Sequence, residues 1–218
     1  MLQSSRLPSK EEWQRALEER HGKELQKRFL NATVAICGLG GLGSNIAVAL
    51  ARAGIGRLIL IDFDKVDISN LHRQQYKVHQ VGRYKAEALA ENLKEIAPYI
   101  EIQTYRQKIN VTNAETLLSE ADIICEAFDN AEEKAMLVNF VLEKMPKKYI
   151  VAGSGMAGIG SANSIKTRRV TKRFYICGDE TSEVTKENAL FSPRVMLCAA
   201  HQAHMVLRIL AEENGGKE

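Results

Sequence analysis

The stretch ATVAICGLGGLGSNIAVALARAGIGRLILID, residues 32–62, constrains the fold more than any other part of the chain. ATVAIC is a short apolar run ending in glycines, the pattern of a strand buried on both faces. SNIAVALARAG follows as a helix of small residues closed by Gly54, and RLILID is the next strand. Strand, helix and strand in that order make a βαβ unit with a right-handed crossover. Gly38, Gly40 and Gly43 fit G-x-G-x-x-G at the first junction. There the glycines let the backbone turn tightly and approach a phosphate, and the helix start offers free N–H groups and partial positive charge. Asp62 closes the second strand, where a carboxylate accepts hydrogen bonds from ribose hydroxyls. NAD and ATP both present that ribose, so Asp62 does not choose between them.

The alternation continues downstream. Residues from Tyr84 to Ile96 are helical in pattern until Pro98, and IEIQTY alternates like a half-buried strand. Thr112 with Glu115 starts a short helix, ADIICEAF is a further buried strand, and AEEKAMLVNFVLEK is a helix with its apolar residues on one face. YIVAGSGMAG is a strand running into a second glycine-rich turn. This order predicts an α/β fold: a Rossmann-like, mostly parallel sheet with helices on both faces. Ahead of it, Ser9 and Glu12 form a capping-box signature for a charged helical segment interrupted near Gly22. Beyond Gly160, SIKTRRVTKRFYIC reads as a pair of exposed strands and GDETSEVTKENALF as a polar, mobile loop. Ser192 and Pro193 open a closing helix to about Leu210. One domain over 1–218 is expected, with an N-terminal helical segment (1–31), a nucleotide-binding core (32–160) and a small irregular C-terminal extension (161–218).

Composition narrows the function. With 218 residues, 45% hydrophobic and 26% charged, the chain can bury one sizeable core. A net charge of +3 lacks the concentrated basic stripe of a dedicated nucleic-acid binder. No apolar run reaches the roughly 18 residues of a membrane span or the form of a signal peptide, so a cytoplasmic protein without membrane association is expected. Cys37, Cys125, Cys177 and Cys198 lie far apart with no CxxC pair, against a cysteine zinc site or a disulfide framework. His201 and His204 share a helix face and are expected to pack or face solvent. GGKE near the end is not a terminal diglycine and reads as a frayed end.

The residues after Asp62 favour a triphosphate. SNLHRQ supplies Ser69, Asn70 and Arg73 after the second strand, and Lys85 opens the next helix. A triphosphate that must lose pyrophosphate needs extra cations on the leaving group, whereas a dinucleotide's bridging phosphates are held mostly by backbone N–H groups. Asp129 comes just after the strand ADIICEAF, where a carboxylate beside a polyphosphate suits Mg²⁺. Asp129 and Asn130 equally suit the cap of the following helix.

GLGGLGSN, IDFDKVDISNLHRQ, the Lys85 segment and AFDN stand in the order and approximate spacing of the ThiF/MoeB/HesA family, related to ubiquitin-activating enzymes. The chain resembles that family from about Glu19 to Leu210, and ALEERHG and YIVAGSGMAG make it most similar to the short second subfamily of ThiF. The resemblance implies an adenylyltransferase that uses ATP and Mg²⁺ to activate the C-terminal glycine of a small ubiquitin-like sulfur carrier ending in Gly-Gly, in thiamine or a related sulfur-transfer biosynthesis. Carried over by motif, the ATP contacts are Gly38, Gly40, Gly41, Gly43, Asp62, Asp64, Ser69, Asn70, Arg73, Lys85, Asp129 and Asn130. Among these, Asp62 would take the ribose; Asn70, Arg73 and Lys85 the β- and γ-phosphates; and Asp129 the Mg²⁺. A homodimer is implied, with Arg20, or else Arg15, lent across the interface.

Two departures bear on the chemistry. Relatives with a structural zinc carry two CxxC pairs, of which only Cys177 remains, so no zinc is expected. The polar loop also lacks the cysteine that some relatives link covalently to the carrier, so activation is expected to stop at the adenylate. Cys198 reads as a small core residue and Cys177 as either that or a sulfur-handling thiol. The alternatives are the family's branch that dehydrates a threonylcarbamoyl-adenosine in tRNA, a NAD-dependent oxidoreductase, which leaves Arg73, Lys85 and Asp129 without a role, and a non-catalytic nucleotide-binding scaffold.

Overall fold

Residues 6–212 are described by a computed structural model. Its frame is a seven-stranded sheet built from β1 (Thr33–Cys37), β2 (Arg57–Ile61), β3 (Glu101–Tyr105), β4 (Ile123–Glu126), β5 (Tyr149–Gly153), β6 (Lys166–Thr171) and β7 (Phe174–Gly178). The order across the sheet is β3-β2-β1-β4-β5-β7-β6, parallel throughout except for the antiparallel edge strand β6. Helices α1 (Lys10–His21), α2 (Lys23–Asn31), α3 (Gly41–Arg52), α4 (Lys85–Ile96), α5 (Ala114–Leu118), α6 (Ala131–Lys144) and α7 (Ser192–Glu212) complete it. The Rossmann-like α/β architecture expected from the sequence is what the chain adopts. No helix among the described residues is long and apolar enough to cross a membrane.

Alternation along each strand builds two cores. Val34 and Ile36, Leu58 and Leu60, and Val151 face α2, α3, α4 and α7; Ala35 and Cys37, Ile59 and Ile61, and Ile150 face α5 and α6. Strands covered on both faces need apolar residues at nearly every position, which is why the central strands β1, β2, β4 and β5 appear as hydrophobic runs. Gly43 and Gly56 allow close packing: a Cβ on Gly43 would lie 1.8 Å from the Gly38 carbonyl oxygen and one on Gly56 1.7 Å from the Leu30 carbonyl oxygen.

The N-terminal segment forms as its capping box directs. Ser9 Oγ accepts from the Glu12 N–H at 3.2 Å, and the Glu12 carboxylate accepts from the Ser9 N–H at 2.6 Å. Gly22, at φ +84°, separates α1 from α2.

Two local expectations are corrected. The short helix begins at Ala114 rather than Thr112, because the Asn110 side chain accepts the Thr112 N–H at 2.9 Å and the Asn113 N–H at 3.2 Å, folding both residues into the preceding turn. The strand pair after Gly160 is only half exposed. β6 is exposed throughout, but β7 pairs in parallel with β5 beneath α7 and buries Phe174, Tyr175 and Cys177.

Candidate active site

The strand order reverses between β1 and β4, the place where open α/β sheets leave a crevice beyond their carboxyl ends. A cavity of about 790 Å³ lies there. Its floor is the turn from β1 into α3. Gly38 takes φ +89°, and a Cβ there would meet the Ala127 carbonyl oxygen at 2.8 Å, so only glycine lets the β1 and β4 ends approach. Gly40 and Gly41 line the cavity; Gly43 lies one turn deeper, packed on Gly38.

Asp62 lines the cavity but also holds its floor. Its Oδ2 accepts the Leu39 N–H at 2.7 Å and its Oδ1 the Asp64 N–H at 2.8 Å, while the Tyr76 hydroxyl donates to the Leu39 carbonyl at 2.7 Å. Burial pushes the Asp62 carboxyl upward, against the pull of Lys85 and these two N–H donors. Each carboxylate oxygen keeps a lone pair for a further donor such as a ribose hydroxyl.

The loop after β2 brings the cations to the same wall. Lys85, buried at the start of α4, pairs with Asp64 at 2.9 Å. Asn70 and Arg73 line the cavity, and the Arg73 side chain lies against Gly41, its Cγ 3.5 Å from where a Cβ would stand. Arg73 Nη1 donates to the Ser69 carbonyl at 3.3 Å, while Arg73 Nε and Gln74 Oε1 are buried without a partner among the described residues. Unpaired buried polar atoms beside a cavity suit a site that a polar ligand completes.

Asp129 lines the opposite wall, exposed and without a hydrogen-bond or ion-pair partner among the described residues. Asn130 instead caps α6, accepting the Glu132 and Glu133 N–H groups at 2.9 and 3.0 Å. That division answers the ambiguity in AFDN: the cap belongs to Asn130 and Asp129 is left to the cavity. An uncommitted carboxylate facing a polyphosphate-sized space fits Mg²⁺, which takes one or two carboxylates plus phosphate oxygens.

Some residues of the motif lie off the cavity wall. The Ser69 hydroxyl donates to Asp67 at 2.6 Å, Asn130 serves α6, and Arg20 and Arg15 are exposed on α1, away from this wall. Two wall residues carried no signal in the sequence: Gln74, the last letter of SNLHRQ, and Lys134, an isolated lysine in α6.

The far half of the cavity is closed by residues 153–157 and 182–195. That half is held by Arg194, whose guanidinium donates to the Ala157, Gly160 and Ser161 carbonyls at 3.1, 2.9 and 2.8 Å and pairs with Asp179. Burial works against the charge on Asp179, but the Ser182 and Thr181 N–H groups, the Ser182 side chain and Arg194 hold its carboxyl well below the usual range.

The cysteines are sealed. Cys177 is fully buried and burial pushes its thiol up to about 11 despite the Thr167 contact; Cys198 donates to the Cys177 carbonyl at 3.3 Å. Cys177 is therefore a core residue, not an accessible thiol. A thiol-reactive dye at pH 7.5 is expected to label none of the four cysteines in the folded protein and all four in guanidinium. His201 bonds the Thr167 hydroxyl at 2.9 Å and His204 faces solvent, while GGKE lies outside the described residues.

Residues 13–218 match the model of the ThiF family. The adenylyltransferase and sulfurtransferase UBA4 of Lodderomyces elongisporus is 30% identical over 191 residues, covering 85% of this chain and 42% of that protein. The adenylyltransferase and sulfurtransferase MOCS3 of Caenorhabditis briggsae is 33% identical over 195 residues, covering 86% and 48%. The chain thus spans under half the length of these curated relatives. Among solved structures, E. coli tRNA N6-threonylcarbamoyladenosine dehydratase in complex with ATP superposes with a TM-score of 0.83 over 94% of this chain and 97% of that one, a likeness of fold at 21% identity. E. coli MccB, solved with AMPCPP and MccA, gives a TM-score of 0.64 at 27% identity over 86% and 58% of the two chains.

Proposed function

Because the chain belongs to the ThiF family, we propose that it is an ATP-dependent adenylyltransferase acting on the C-terminal glycine carboxylate of a small ubiquitin-like sulfur carrier. The observation that carries this reading is the convergence of Asn70, Arg73, Lys85 and Asp129 with the glycine turn on one cavity. The carboxylate attacks the α-phosphorus of ATP, a carboxyl O–P bond forms, the α–β bridging bond breaks and pyrophosphate leaves. The attacking carboxylate is already ionised at neutral pH, so no general base is required. Catalysis is positioning and charge stabilisation, with Arg73 and Lys85 on the pyrophosphate and Asp62 on the ribose. Asp129 would hold Mg²⁺, which would neutralise polyphosphate charge. Arg20 of the partner subunit in a homodimer would add a cation from outside the single chain. The segment after Gly160 would seat the carrier, in thiamine or a related sulfur-transfer biosynthesis.

The test is ATP–pyrophosphate exchange with and without a carrier ending in Gly-Gly. Carrier-dependent exchange is expected, and Arg73→Ala and Asp129→Ala should each lower it about 10²- to 10³-fold with unchanged circular dichroism. Wild-type exchange in either variant would refute its assigned role.

A second reading replaces the carrier by a modified adenosine in tRNA. It is favoured by the exposed edge strand β6, which carries Lys166, Arg168 and Arg169, with Arg168 paired to Glu180. Absence of exchange with every carrier, together with ATP turnover stimulated by threonylcarbamoylated tRNA, would decide for it.

A further inference from the structure

Beneath Asp129 lies a charged pair that the adenylation chemistry does not use. Glu126, at the end of β4, is 0% exposed, and Lys134 of α6 meets its Oε2. Burying the Glu126 carboxylate is costly even with the half-buried Lys134 against it, and an apolar residue packed in its place would stabilise the core as well or better. Stability alone therefore does not account for the pair, and its contacts do.

Each partner reaches the backbone of a different wall of the cavity. Glu126 Oε1 accepts the Phe128 N–H at 2.7 Å, fixing the turn whose next residue is Asp129. Lys134 Nζ donates to the Gly153 carbonyl at 2.7 Å, fixing the end of β5 where the second glycine-rich turn begins. Behind them, Gln202 of α7 donates to the Glu126 and Val151 carbonyls at 3.0 and 3.1 Å, so the strand ends cannot slide apart. Phe128, Asp129, Lys134, Gly153 and Ser154 all line the cavity. Burial pushes the Glu126 carboxyl up while Lys134 and the Phe128 N–H pull it down, so the charged form depends on those partners.

We propose that Glu126 and Lys134 are positioning residues that hold the Asp129 turn and the Gly153–Ser154 backbone in register, so that the Mg²⁺-holding carboxylate and the incoming acceptor carboxylate meet at the α-phosphate. This rests on the adenylyltransferase reading. The nucleotide's other contacts, Asp62, Arg73 and Lys85, hang from the β2 loop and α4 and do not depend on the pair. Loss of the pair should therefore separate Mg²⁺ and acceptor from ATP.

Lys134→Met alone strands a buried carboxylate, so the informative variant is the charge-neutral Glu126→Gln/Lys134→Met, with Lys134→Arg as the conservative replacement. Calorimetric titration of ATP at graded Mg²⁺ reads binding without turnover, and exchange kinetics read KM for ATP and acceptor separately. Because Lys134 itself lines the cavity, the double variant is read against its own metal-free ATP affinity. It should require about 10- to 100-fold more Mg²⁺ for the same gain in affinity and show a raised acceptor KM, while Lys134→Arg recovers most of both. A folded double variant with wild-type Mg²⁺ dependence and acceptor KM would overturn the role of the pair alone. A wild type whose ATP affinity ignores Mg²⁺ and whose exchange ignores the carrier would overturn the site assignment, and the pair's role with it.

Discussion

Arg194→Met is expected to lower the unfolding free energy by about 3–5 kcal/mol, because it leaves a buried carboxylate without its cation. The midpoint should fall by roughly 6–20 °C, measured by thermal melting at pH 7. Arg194 and Asp179 have side chains only 8% exposed, so the carboxylate left behind is poorly hydrated. The same change removes the guanidinium donors from the carbonyls of Ala157, on the far wall of the cavity, and of Gly160 and Ser161, of which Ser161 keeps the Ser164 N–H and hydroxyl as donors. Arg208→Met, removing an exposed i,i+4 pair with Glu212, is the matched control and should leave the midpoint within error. Acid supplies a second readout. The Asp179 carboxyl titrates below its unfolded value, so its contribution is complete above about pH 4 and is lost as pH falls further through the folded value. Stability of the wild type should decline below pH 4 more steeply than that of Arg194→Met, in which the depressing cation is gone.

That knot marks the limit of what the sequence discloses. The βαβ unit and the glycine turn are legible because their signals are local: an apolar run of strand length, three glycines at fixed spacing, a carboxylate at the next strand's end. Arg73 and Lys85 stand out in the sequence because cations at that edge suit a triphosphate, and the fold brings both, with Asn70, to the cavity wall. β7 is not, since FYIC is flanked by Lys172, Arg173 and Asp179 and its burial is decided by β5 and α7, distant in sequence. Lys134 and Arg194 look like ordinary surface residues of helices; only the tertiary fold shows that one meets Glu126 and the other Asp179. Asp129 and Asn130 lie between these cases. Either could cap α6 by composition, and it is the extended backbone of Asn130, at φ −88° and ψ 125°, that makes it the cap and frees Asp129.

Gly43→Ala should remove folded protein altogether, whereas Gly40→Ala, three residues earlier in the same motif, should leave the fold intact. A methyl on Gly43 would stand 1.8 Å from the Gly38 carbonyl oxygen and 3.1 Å from Ile36 Cγ2, a clash with backbone that no rotamer relieves. Relief requires α3 to lift from β1, opening contacts of Ile46, Ala47 and Leu50 with the sheet, at a cost above the 1–3 kcal/mol or so typical of overpacking. A methyl on Gly40 would meet only Gln74 Nε2, at 3.6 Å, an ordinary contact. Soluble yield and the melting midpoint separate the two, and ATP titration of Gly40→Ala then reads how closely phosphate approaches the turn. If Gly43→Ala melted like the wild type, the close approach of α3 to β1 would be wrong, and with it the placement of the α3 N-terminus at the cavity floor. The three glycines of one motif thus answer to different physics: Gly38 to a left-handed turn against β4, Gly40 to the open cavity it faces, Gly43 to the packing of α3 on β1.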